Sequence, residues 1–225
     1  LFQNVAGLLK GRLGYREFWA LKEVSFIVSR GETFGIIGKN GSGKSTLLKI
    51  LARVLYPDSG SVAMNGRVAS FLELGVGFQP ELTASENVFI YSSILGISRK
   101  EVKQHYDEIF DFAELGKFKN MKLKNFSSGM NMRLAFSTAI HASPDTLLID
   151  EVLAVGDEAF QKKCMDKIDE IRAGGKTIIL VSHDLKSVRG LCQRVLLLHE
   201  GQAVSIGAAE KVIEDYHKLL AAQVT

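Results

Sequence analysis

"FGIIGKNGSGKSTLLKI", residues 34–50, is the stretch on which the fold turns. It opens as an apolar strand that continues "ETFGIIG". It closes on a run in which Leu47, Leu48, Leu51 and Leu55 recur with the helical period. Between them "GKNGSGKST", residues 38–46, satisfies G-x-x-x-x-G-K-[ST] in the required strand–loop–helix setting. Glycines in such a loop let the backbone wrap until several N–H groups converge on one anion, and the helix after it adds its positive dipole end. Candidate phosphate contacts are therefore Gly38, Asn40, Gly41, Ser42, Gly43, Lys44, Ser45 and Thr46. Lys44 has the reach for the β- and γ-phosphates, and the Ser45 hydroxyl is placed for Mg²⁺. A nucleoside triphosphate is the expected ligand. Kinases, GTPases and transport ATPases all use this loop, so it does not by itself name a reaction.

Two further strands narrow the choice. "TLLIDE" ends in Asp150, a carboxylate able to bind Mg²⁺ through water, and Glu151, which can polarise an attacking water. "TIILVSHD" delivers His183 to the carboxyl end of another core strand, where ligands bind in such sheets, and a γ-phosphate contact is expected.

Around these strands the chain alternates strand and helix, with an interruption. "LKEVSFIVSRG" alternates apolar and polar residues and reads as an antiparallel strand. "SVAMNGRVASF" reads as a hairpin around Asn65-Gly66. From Leu82 to His141 the pattern is helical, with capping boxes at Thr83/Glu86 and Ser98/Glu101. Beyond Pro144 strands alternate with helices near 157–173 and 185–191. One α/β domain over residues 1–225 is expected: a core of residues 1–81 and 144–225, with a mostly parallel sheet and an antiparallel part, carrying a helical subdomain at 82–143.

Composition sets limits. The net charge of +3 is too small for a nucleic-acid footprint, and no Lys/Arg run is interleaved with aromatics. No apolar run approaches the roughly 18 residues of a membrane span. Cys164 and Cys192 lie far apart, which suggests buried thiols rather than a disulfide or metal site.

"NFSSGMNMR", residues 125–133, precedes a helical run, and Ser127 there suits either an N-cap or an anion contact. Taken with the loop, "TLLIDE" and "VSHD" in that order, the chain resembles the nucleotide-binding subunit of an ABC transporter over nearly its whole length. "FSSGM" falls where that family carries Leu-Ser-Gly-Gly-Gln. Ser127 and Gly129 match its second and fourth positions; Phe126, Ser128 and Met130 depart from it.

The resemblance implies a head-to-tail dimer of two copies that sandwiches ATP. In it the segment bearing Ser127 and Gly129 caps the γ-phosphate bound by the other subunit. Asp157, in "EVLAVGD", matches the aspartate at the dimer seam. Tyr15 lies where the family places an aromatic under adenine, with Phe18 and Trp19 as competitors. The family's γ-phosphate-sensing glutamine falls near Glu73 or Leu74 rather than at Gln79. A transmembrane permease subunit, no nucleic acid, and a peripheral place on the cytoplasmic face of the inner membrane are implied. Residues 71–82, with Gly75 and Gly77 giving them room to move, are expected to line the groove for the permease.

Finally, "GRVASFLELGVGFQPELTASEN", "FSSGM" and "DEVLAVGDEAFQKKC" together resemble the branch that exports lipid-linked polysaccharide, whether O antigen, capsule or teichoic acid. Some members of that branch carry a C-terminal carbohydrate-binding domain. A sequence ending at Thr225 is expected either to lack one or to be truncated. The remaining alternatives are a soluble ABC-type ATPase acting on nucleic acid or ribosomes, an ABC ATPase for another cargo, or a P-loop kinase.

Overall fold

The computed structural model describes residues 18–72, 74–150 and 156–222. Strands β1 (Thr33–Ile37), β2 (Val68–Ser70), β3 (Thr146–Asp150), β4 (Thr177–Val181), β5 (Arg194–His199) and β6 (Gln202–Ala208) form one six-stranded sheet in the order β2-β3-β4-β1-β5-β6. Pairings from β2 to β5 are parallel, and β6 runs antiparallel to β5. Sheets covered on both faces need strands that are apolar throughout, and β1 "TFGII" and β4 "TIILV" are buried at every position. On one face Phe34, Ile36, Leu148, Val181 and Leu196 meet Leu47, Leu48 and Leu51 of helix α1 (Lys44–Leu51). The alternate positions, including Ile37, Ile149, Leu180 and Leu197, meet α4 (Ser128–Ile140) and α5 (Glu158–Ala173) through Phe136 and Phe160.

A second apolar cluster joins α2 (Ala84–Ile94), α3 (Arg99–Ala113) and the start of α4 through Val88, Val102, Ile109, Phe110 and Leu134. Both capping boxes form. The Thr83 hydroxyl accepts from Glu86 N while Glu86 Oε2 accepts from Thr83 N at 2.8 Å, and Ser98 and Glu101 do the same at the start of α3. Helix α6 (Leu185–Leu191) comes after β4, and α7 (Ala209–Ala222) after β6. Among the described residues no helix is long and apolar enough to cross a membrane.

Two local expectations fail. Among the described residues, 21–31 and the stretch around Asn65-Gly66 form no antiparallel ladder, and β2 pairs in parallel with β3. The alternation is real, because Val24, Phe26, Val28, Val62 and Met64 all pack on the α1 face of the sheet. It reports one-sided burial, which an extended segment shows whether or not it joins a ladder. Gly66 does turn the chain, at φ +80°, but Asp145 captures Arg67 immediately after it: Asp145 Oδ2 accepts from Arg67 N, and Asp145 N donates to Arg67 O. Antiparallel pairing lies in β5–β6, joined by Glu200 and Gly201, both with positive φ as a tight hairpin turn requires. Neither β6 nor α7 stands out in the sequence. Helix α1 stops at Leu51 rather than Leu55, because Arg53 enters the left-handed region at φ +59°. Cys164 and Cys192 are free and buried, and burial pushes both thiols up to about 12.

Candidate functional site

Register places the site. Asp150 pairs with Val181, Val181 with Ile36, and Ile36 with Leu196, so the carboxyl ends of β3, β4 and β1 lie in one row. The chain leaves that row through three segments that carry the expected chemistry. They are the loop from Gly38, the segment after Asp150, and Ser182-His183.

The loop from Gly38 is a tight cradle. Any side chain at Gly38 would run into the Leu198 carbonyl oxygen. Gly43, the N-cap of α1, has φ +103°, and a Cβ there would lie 2.6 Å from Ala20 O. The loop is also held from outside, since Gly201 N donates to Ser42 O at 3.0 Å and Lys22 N donates to Gly201 O at 2.7 Å. Lys44 is buried and folds its Nζ back onto the loop, donating to Gly38 O at 2.7 Å and Lys39 O at 2.9 Å. No side chain caps α1 and no acid lies in its first turn, so its leading N–H groups and its positive end face the loop. Ser42 Oγ is buried with no hydrogen-bond partner among the described residues. A cationic centre, uncapped amides and a buried orphan hydroxyl together fit a bound polyphosphate. Asn40, Gly41 and Ser45 are exposed, and Thr46 is half-buried, on the rim of this loop and the first turn of α1.

Asp150 is half-buried at the end of β3. With the Ser45 hydroxyl it offers hard oxygen donors of the kind Mg²⁺ takes alongside phosphate oxygens. His183 is exposed between β4 and α6, and its neighbours fix the turn. Asp184 N donates to Ser182 Oγ, and the Asp184 carboxylate caps α6 by accepting from Lys186 N, Ser187 N and the Ser187 hydroxyl. Glu151, Tyr15 and Glu73 lie outside the described residues. Phe18 and Trp19 are 86% and 57% exposed, so neither is a core residue.

A second site stands apart from the loop. Ser127, Ser128, Gly129, Arg133, Gly156 and Asp157 line an open cavity of about 630 Å³, and no residue of 38–46 lines it. Ser127 is the N-cap of α4, its Oγ accepting from Met130 N at 3.1 Å, yet Ser127 and Ser128 remain exposed. Asp157 caps α5 by accepting from Phe160 N at 3.0 Å. Thus Ser127, Gly129 and Asp157 come together, and the phosphate loop is not with them. Met130 is half-buried against the helical cluster, where Phe126 also packs.

Leu74 packs on the main core. Gln79 is pinned at its backbone by Asn87, and its side-chain amide donates to Gly77 O at 3.3 Å. Arg133 lines the second cavity with Ser127 and Asp157, a place no sequence signal gives it. Arg133 lies inside "NFSSGMNMR", but nothing local distinguishes it.

The profile of the ABC transporter family matches residues 21–154. The chain belongs to the ABC transporter family. Among curated relatives, ABC transporter protein AbcA of Aeromonas salmonicida is 47% identical over 212 residues, covering 94% of this chain and 69% of that protein. An O-antigen export system ATP-binding protein, RfbB of Klebsiella pneumoniae, is 46% identical, covering 95% of this chain and 85% of its own length. A teichoic acids export ATP-binding protein, TagH of Listeria monocytogenes serotype 4b, is 41% identical, covering 98% and 67%. The resemblance to the polysaccharide-exporter branch is borne out by these relatives. Among solved structures, an ATP-binding subunit of an ABC transporter superposes with TM-score 0.78 at 25% identity, covering 91% of this chain and 90% of that one. A dimeric ATP-binding cassette in a post-hydrolysis state, bound to ADP and Pi, superposes with TM-score 0.72 at 26% identity, covering 88% and 94%. This ABC protein is an ATPase, and ATP is its nucleotide.

Proposed function

We propose that this ABC ATPase is the motor subunit of an exporter of lipid-linked polysaccharide, docked on a transmembrane permease at the cytoplasmic face of the membrane. The observation that carries the reading is the separation of two half-sites. The cradle of residues 38–46 is built to hold a polyphosphate, whereas Ser127, Gly129 and Asp157 gather on a different cavity without it. Two copies arranged head to tail complete both sites, each loop facing the other copy's Ser127 turn.

In that arrangement Lys44 leaves its loop carbonyls for the β- and γ-phosphates, and the amides at the start of α1 hold the phosphate chain. Mg²⁺, held by Ser45 and Asp150, would neutralise phosphate charge. Glu151 takes the proton from the attacking water, and His183 orients the γ-phosphate. Ser127 Oγ and the amides that open α4 face the same phosphate across the seam. Hydrolysis divides the bridging triphosphate into ADP and phosphate, which removes what joined the subunits. Opening and closing of the pair is the two-state element that a permease can couple to.

Glu151→Gln removes the base but keeps shape, so with ATP it should shift from monomer to dimer on a sizing column while turnover falls about 10²–10⁴-fold. A variant that stays monomeric with ATP, or that hydrolyses it normally, rejects the reading. The cargo is tested separately. Loss of the gene from its own host should leave polysaccharide assembled inside and missing from the cell surface. Unchanged surface display rejects that cargo.

A further inference from the structure

Gly201 uses both of its backbone polar groups on segments far from it in sequence. Its N–H donates to Ser42 O in the phosphate loop at 3.0 Å, and its carbonyl accepts from Lys22 N at 2.7 Å. With Glu200 it turns the β5–β6 hairpin, at φ +76°. The ladder behind it is irregular between Leu197 and Leu198, and an irregularity of that kind re-aims a strand end. Here the hairpin end lies against the back of the loop, where the Leu198 carbonyl fills the space beside Gly38.

Three backbones meet at this point. The Ala20 carbonyl lies between two glycines: a Cβ on Gly43 of the loop would come within 2.6 Å of its oxygen, and a Cβ on Gly201 within 2.8 Å. Leu21 packs on the α1 face of the core, and its Cδ2 would lie 2.9 Å from a Cβ on Gly43. Residues 20–22 are thus wedged between the phosphate loop and the hairpin. Just before them Phe18 and Trp19 stand exposed. Exposed aromatic rings beside a polyphosphate cradle offer a flat apolar surface to the nucleoside end of the same ligand.

On the reading of residues 38–46 as the triphosphate cradle, we propose that Gly201 is a positioning residue for the nucleotide. It locks residues 20–22 to the loop, so that Trp19 and the cradle act as one receptor for nucleoside and phosphates. The bonds to Ser42 and from Lys22 set the spacing between the two ends of the site. A side chain on Gly201 pushes on one end alone. The atoms nearest its Cβ are Ala20 O, Ala20 C and Leu21 Cα, and none belongs to the loop.

The test compares the full wild-type chain with Gly201→Ala and Gly201→Asn, using ATP and inorganic tripolyphosphate as ligands. Trp19 is the only tryptophan in the sequence, so its fluorescence reports this segment directly. In the wild type, ATP should change the emission, and tripolyphosphate should change it less. In Gly201→Ala the affinity for ATP should fall about 10-fold or more, within what an ångström-scale misplacement costs. Affinity for tripolyphosphate should stay, and the ATP-dependent change in Trp19 emission should shrink. KM for ATP should rise while kcat at saturation is kept. A purely structural role would instead lower the melting temperature and weaken both ligands alike.

Equal loss for ATP and tripolyphosphate overturns the role of Gly201, as does wild-type ATP affinity in Gly201→Ala. A Trp19 emission that ignores ATP in the wild type overturns it too. If Gly201→Ala does not fold, Gly201→Asn takes its place, because Asn accepts a positive φ yet carries the same Cβ. Unchanged ATP affinity there overturns the proposal equally. Lys44→Ala tests the cradle by itself and should lose tripolyphosphate as well as ATP. A Lys44→Ala chain that keeps both rejects the cradle, and the role of Gly201 with it.

Discussion

Asn87 holds Gln79 by both of its backbone groups: Gln79 N donates to Asn87 Oδ1 at 2.6 Å, and Asn87 Nδ2 donates to Gln79 O at 3.0 Å. The same amide nitrogen also reaches Thr83 O at 2.9 Å, and Asn87 is wholly buried. One turn further along α2, Tyr91 takes a hydrogen bond from the Gly75 backbone, while burial pushes its phenol up to about 12. Helix α2 therefore grips the stretch around Gly75 and Gly77 at both ends.

Asn87→Ala removes the side-chain partners of the part-buried Gln79 amide and carbonyl, and each lost hydrogen bond costs about 0.5–1.5 kcal/mol. Urea denaturation should show a drop of that size, and chymotrypsin should cut after Phe78 faster. A midpoint within error of wild type would show that water or a neighbour replaces the amide.

Ser127 is an N-cap and, on our reading, a phosphate contact, and one substitution separates the two. Ser127→Asp keeps a side-chain acceptor for Met130 N, and Asp caps as well as Ser, so stability should change by less than about 0.5 kcal/mol. A carboxylate facing the partner's γ-phosphate repels it. Turnover and ATP-driven dimerisation should collapse while monomer ATP affinity is kept. Full turnover in Ser127→Asp would leave Ser127 as a helix cap and nothing more.

Acid should loosen the start of α3 within a defined window. Hydrogen bonds from the Ser98 hydroxyl and the Ser98 backbone, then from Arg67, lower the Glu101 carboxyl from 4.5 to about 2. A carboxyl whose folded value is depressed lends stability that is fully present above its unfolded value and lost as pH falls through the folded one. The contribution of Glu101 is thus complete above about 4.5 and fades toward about 2. Carboxyl NMR should titrate Glu101 near the lower value, and Glu101→Gln should lack this part of the acid response. A midpoint near 4.5 for Glu101 would mean that neither Ser98 nor Arg67 engages it in solution.

Val76 and Ile94 are exposed apolar side chains, 49% and 56%, on the two sides of Gly77, whose missing side chain lets Ile94 lie against it. They fit the place where residues 71–82 would receive the permease. Val76→Asp or Ile94→Asp should leave the ATPase of the free subunit unchanged. Either should abolish its co-purification with the permease and the export that depends on it. Cysteines placed here should also cross-link to the permease. Cross-links confined to other surfaces would move the docking site.

The phosphate loop is legible in the sequence because its chemistry is local: glycines, Lys44 and Ser45 all lie within residues 38–46, and the flanking strand and helix show their own periods. The core strands are legible for the same reason, since β1, β3 and β4 are apolar runs of strand length ending in Gly38, Asp150 and Ser182-His183. Both capping boxes can be read from a spacing of three residues. Other features are decided across the chain. Alternation in residues 21–31 and around Asn65-Gly66 shows which side chains are covered, while ladder pairing depends on Asp145, far away in sequence, drawing Arg67 and then β2 alongside β3. Arg133 reads as an ordinary helix-surface arginine until folding brings it against Glu114 from α3 and Asp157 from α5. A sequence spells out groups that act on their neighbours along the backbone. Which distant carboxylate meets which cation is set by how whole helices pack, and that is where tertiary structure alone decided.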